Sequence, residues 1–136
     1  MSIEIKSTGT LIDEAITTSL KVMYIKDNVE NTKRYSLLVQ VIVRRLENIN
    51  PGIRESLDKL WQELSKTLEN CWDAQEEVMK YNNIEQDEYD LDNYTNCALA
   101  AIKAQKLNAQ RNRLIRQIDE LLGEQEFTQL GKSYDR

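Results

Sequence analysis

The sequence predicts an all-α protein: a long antiparallel helical hairpin with a shorter helical pair packed on one end, four-helix-bundle-like. Three observations lead there. The 136 residues include only four glycines and one proline, too few for a β-sandwich or barrel, which needs turn residues every 8–12 positions or so. Forty per cent of the chain is hydrophobic, enough to bury a core without covalent or metal staples. In the second half the apolar residues recur in alternating steps of four and three, the heptad pattern of packed helices. The length suits a single helical domain over 1–136, with an extended arm at 1–7 and a polar tail at 124–136.

The arm, Met-Ser-Ile-Glu-Ile-Lys-Ser, alternates polar and apolar residues. Thr8 or Thr10 can cap a first helix, placing Asp13 and Glu14 near its positive end. Ile12, Ile16, Leu20 and Met23 give that helix its buried stripe. After a break at Asp27-Asn28, a second helix is expected over about 30–48, striped by Leu38, Ile42 and Leu46. Val39 to Val43 is β-branched enough for a buried strand, but Arg44, Arg45 and Glu47 follow in helical phase and no partner strand is apparent in the sequence. Asn48-Ile49-Asn50-Pro51-Gly52 is the clearest stop in the chain.

A third helix is expected over about 53–80, with Leu57, Trp61, Leu64, Leu68, Cys71, Gln75 and Val78 as its seam. The polar, acidic stretch 81–92 reads as the turn. A fourth helix over about 93–122 repeats the pattern through Cys97, Ala100, Ala104, Leu107, Arg111, Leu114, Ile118 and Leu121. Gly123 stands where a helix C-terminus favours glycine. At 1.5 Å per residue the long helices span about 40–45 Å and the shorter pair at most about 28 Å. If the turn centres on 81–92, Cys71 and Cys97 face one another as inert free thiols.

Several function classes are excluded or disfavoured. The chain has no histidine, which removes Ser-His-Asp and Cys-His catalysis and His-ligated zinc. Its net charge is −5, giving no overall attraction to nucleic acid or anionic membrane. The longest apolar run, Leu37 to Val43, is far short of the roughly 18–20 residues of a spanning helix. The first twenty residues carry Glu4, Lys6, Asp13 and Glu14 and show no leader pattern, so a cytoplasmic location is expected.

Four groups of residues remain as candidate sites. Glu85, Asp87, Glu88, Asp90 and Asp92 form an acidic cluster, but lack the glycine and terminal glutamate of an EF-hand loop; a solvated loop is the simpler reading. Asp73, Glu76 and Glu77 share one helical face, as in all-helical enzymes that use magnesium to process nucleotides. Such enzymes need an opposing acidic helix, whereas residues 93–118 contain no acid. The basic run Lys103, Lys106, Arg111, Arg113 and Arg116 lacks the interleaved aromatics of a nucleic-acid platform. Asn108 and Arg111, on the apolar side of the last helix, require buried partners. The hairpin arithmetic offers Asp58 or Glu63 to Arg111, and Gln62 or nearby backbone to Asn108. A register-fixing role is favoured over a ligand pocket.

Short blocks along the chain resemble a small bacterial all-helical family of unknown function. They are Thr10-Leu11-Ile12-Asp13, Cys71-Trp72-Asp73, Leu107-Asn108-Ala109-Gln110-Arg111, Ile118 to Gly123 and Lys132-Ser133-Tyr134. The resemblance implies a soluble bacterial protein and carries no catalytic residue. The expected function is a non-catalytic helical interaction or scaffold protein acting as a homodimer, without a cofactor. The alternative is a magnesium-dependent all-α nucleotide-processing enzyme using helix-borne carboxylates.

Overall fold

The structure, a computed structural model, describes residues 6–25, 28–83 and 90–124. These form four helices: α1 (Thr8–Tyr24), α2 (Val29–Leu46), α3 (Pro51–Asn82) and α4 (Leu91–Leu121). Most of the expected arm, the residues 84–89 and the tail beyond Glu124 lie outside the described residues. Among the described residues, no helix is long and apolar enough to cross a membrane.

Each helix begins on a side chain suited to the task. Asn50 caps α3 by accepting from the Gly52 amide at 2.7 Å, with Pro51 in the first turn where a missing N–H does no harm. Asp90 accepts from the Asn93 amide at 2.9 Å to start α4, and Asn28 caps α2 through the Asn31 amide. The stretch Val39 to Val43 lies within α2, because its stripe packs on α1. At the far end of α4, Gly123 has φ 74°, the left-handed turn that favours glycine after a helix. The start of α1 differs from expectation. Ser7, not Thr8 or Thr10, is the cap, its hydroxyl accepting from the Thr10 amide at 3.2 Å. The earlier start carries Asp13 and Glu14 out of the first turn, and Asp13 becomes a buried residue.

The core gathers Leu11, Ile12, Ala15, Ile16 and Leu20 of α1 with residues from every other helix: Leu38 and Ile42, Leu57, Leu64 and Leu68, Leu114 and Ile118. Helix α1 is therefore central, packing on α2 from one side and on both arms of the α3–α4 hairpin from the other. It runs antiparallel to α4, as Gly9 meets Asp119 while Asp13 meets Arg111. At its end Tyr24 stacks on Trp72 with ring centroids 5.4 Å apart. The α1–α2 pair thus covers the hairpin from its open end to the level of Trp72. The stretch beyond Trp72 and the first turns of α4 project past it.

The hairpin register also differs from expectation. The Cys71 thiol faces Asn108, with Sγ and Oδ1 4.0 Å apart, whereas Cys97 lies about 16 Å further along α4. Both cysteines are free, but they are not neighbours. Pairing by residue number assumed a symmetric turn. With Cys71 facing Asn108, α4 stands about one turn beyond the expected range.

Candidate functional site

Two polar constellations lie inside the bundle. In the first, at the junction of α1, α3 and α4, Arg111 donates from Nε and Nη2 to the two carboxylate oxygens of Asp13, both at 2.6 Å. The Asp13 side chain is only 6% exposed and that of Arg111 is 32% exposed. This forked geometry is the strongest form of an arginine–carboxylate bond. It keeps the guanidinium firmly charged: hydrogen bonding to Asp13 outweighs the burial that opposes charge. Beside the pair, burial pushes the Cys71 thiol up, Arg111 pulling weakly the other way. Such a thiol is a poor nucleophile. One turn after Asp13, the Thr17 hydroxyl is buried with no hydrogen-bond partner among the described residues.

The second constellation closes the start of α1. Helix N-termini expose unpaired N–H groups and a partial positive charge, and α4 answers both. The Gly9 amide donates to Asp119 at 2.8 Å and the Thr8 amide to Glu124 at 3.0 Å. Asp119 is fully buried. Only glycine fits at position 9: a Cβ there would lie 2.5 Å from the Asp119 carboxylate and 2.6 Å from the Ile115 carbonyl. From α2, Arg45 donates to the Lys6 carbonyl at 2.7 Å and to the Thr8 hydroxyl at 3.3 Å, and stands 3.8 Å from Glu124. Nearby, Glu14 binds Lys6 and Arg34. Burial alone would raise the Glu14 carboxyl, but those hydrogen bonds and charges outweigh it and hold the group below its ordinary value.

The expected partners of the buried arginine are thus corrected. Asp58 and Glu63 are exposed on α3, because Arg111 faces α1 rather than the outer edge of α3. Asp58 instead lines an open groove of about 380 Å³ between α2 and α3, floored by Val43, Leu46, Leu57 and Trp61. Glu63 lines a shallow surface recess with Gln110 and Arg113. Asn108 meets Cys71, not Gln62, which is exposed.

The helix-borne carboxylates do not converge. Asp73, Glu76 and Glu77 are all exposed, and Glu76 accepts from the Trp72 indole at 2.9 Å. Asp90 is occupied as a helix cap; Glu85, Asp87 and Glu88 lie outside the described residues. Among the described residues, no group of three or more His, Cys, Asp or Glu could hold a metal ion. Of the basic run, Lys103, Lys106 and Arg113 are exposed, while Arg111 is turned inward.

Asp119 and Gly9 were not singled out from the sequence, although a signal existed. Asp119 and Glu120 fall in the last turn of α4, where no basic residue stands and where carboxylates oppose the helix's own dipole. Such acids imply another helix's N-terminus nearby. No protein family, no curated protein and no solved structure matches the chain, so the roles of these residues rest on the chain's own chemistry.

Proposed function

We propose that the protein is a non-catalytic helical interaction module that works as a homodimer in the cytoplasm. The observation supporting this is how polar and apolar groups are distributed. The buried charges are consumed by internal pairing, as at Asp13–Arg111 and Gly9–Asp119, and neither pair lines the groove at Trp61 or the recess at Glu63. Meanwhile large apolar side chains remain on the surface at the projecting end, among them Met79 and Leu91, 61% and 78% exposed. Exposed apolar side chains are what an interaction surface buries, and a twofold axis is the commonest way to bury them. The two free thiols suit a reducing compartment.

The test is molar mass by light scattering at micromolar concentration, with thermal melts in the presence of magnesium and a nucleoside triphosphate. The expected result is twice the chain mass and a melting temperature unmoved by either addition. A monomer stabilised by magnesium and nucleotide would overturn the proposal in favour of the enzyme reading.

A further inference from the structure

We infer that the dimer forms through the outer face of α4, two copies packing antiparallel with Ala98 on the twofold axis. The inference rests on the homodimer reading and names its surface. The evidence is that α4 is apolar on two sides. Ala100, Leu114 and Ile118 are buried in the hairpin. On the opposite side, Leu91, Ala98, Ile102 and Ala109 recur at the four- and seven-residue spacings of a second seam. All four are exposed, Ile102 48% so, and Leu99 beside them is 59% exposed. A helix serving only its own hairpin needs one stripe, not two.

Charge along this face selects the occupant. The acids stand at the start of the helix, Asp90 and Asp92, followed by no further acid through residue 118. The lysines Lys103 and Lys106 follow three turns later and are exposed. In an antiparallel pair centred on Ala98, residues equally far from 98 in opposite directions meet. The second copy's Asp92 then comes between Lys103 and Lys106, Leu91 meets Gln105, and Ile102 meets the exposed ring of the other copy's Tyr94. Each copy supplies both the acid and the base, so the surface is complementary to itself. A parallel pairing would set lysine against lysine and align the helix dipoles unfavourably. Ala98 at the crossing carries no bulk, so the backbones can approach closely.

Three variants of the full chain test this by sedimentation velocity. Ile102→Glu should raise the dimer Kd at least about 100-fold, since symmetry removes two buried isoleucines, with an unchanged far-UV spectrum. Asp92→Lys should weaken the dimer about 5-fold, and adding Lys106→Asp to it should restore most of the affinity. In a Cys97→Ser background, Ala98→Cys should crosslink two chains on mild oxidation whereas Gln105→Cys should not. A monomeric wild-type chain at tens of micromolar overturns both the dimer and this face. A dimer unmoved by Ile102→Glu and not crosslinked through Ala98→Cys overturns this face alone, and leaves the homodimer standing on another surface.

Discussion

The open end of the hairpin, where α1 and α2 sit, and the projecting end beyond Trp72 solve opposite problems. At the open end the buried charges are paired inward: Asp119 of α4 and Glu124 just beyond its end serve the start of α1, and Arg45 of α2 ties down Lys6 and Thr8. At the projecting end, among the described residues, the same two long helices continue without a third helix, and Met79, Leu91, Leu99 and Ile102 stay in contact with water. One end is specified by polar groups that tolerate a single register; at the other, the described residues are held by the hairpin seam. The difference teaches that buried polar groups fix where α1 docks, whereas exposed apolar side chains occur in both regions, at Met23, Val29 and Val43 of the shorter pair as well as at Met79, Leu91 and Ile102.

Substitutions at the open end should break this contrast most strongly. Gly9→Ala forces a methyl group into the Asp119 carboxylate and the Ile115 carbonyl. Helix α1 must then shift, at a cost of about 3 kcal/mol from overpacking and a strained buried hydrogen bond. Urea unfolding measures it, and a loss below about 1 kcal/mol would show that α1 docks loosely.

Arg111→Leu should have a similar effect, about 3 kcal/mol, because it leaves Asp13 buried without its cation. The double variant Asp13→Leu/Arg111→Leu should recover most of the loss, since two apolar side chains need no partners. If the double variant is no better than Arg111→Leu alone, the pair does more than satisfy itself. Thr17→Val acts in the other direction. It removes a buried hydroxyl that has no partner among the described residues and should raise stability by about 1 kcal/mol, read as a higher melting temperature.

The smallest effect concerns Glu14. Its folded-state carboxyl lies below its ordinary value, so the folded state binds fewer protons there than the unfolded chain. The stabilisation is full above the unfolded carboxyl range and fades as pH falls through the depressed value. Because the group is partly exposed, Glu14→Gln should cost only about 0.5 kcal/mol at neutral pH. The gap between variant and wild type should close in acid. A gap that persists at low pH would mean the contribution is packing rather than charge.

The helices were legible in the sequence because their signals are local. Periodic apolar stripes, the Asn50-Pro51-Gly52 stop and Gly123 all act within one or two turns, and the observed boundaries fall within about two residues of those expected. What the sequence did not reveal depends on which helix faces which. Arg111 was recognisable as a charge on an apolar face, but its partner Asp13 lies on α1, and Asp13 had a satisfactory local reading as a first-turn acid. Ser7 removed that reading by starting the helix earlier. The Cys71–Cys97 pairing failed for a related reason: register follows from three-helix packing, which residue numbers on one hairpin do not encode. Asp119 left a trace, an acid at the wrong end of its own helix, which makes sense only once the start of α1 is known to lie beside it.

The contrast between the two ends is tested most directly by hydrogen–deuterium exchange measured across protein concentration. Protection of amides in 8–20 and 111–121, which depends on contacts within one chain, should be the same at low and high concentration. Protection in 91–102 should rise with concentration as the second copy covers the outer face of α4. Exchange that is independent of concentration throughout, or a rise confined to the open end, would contradict the account.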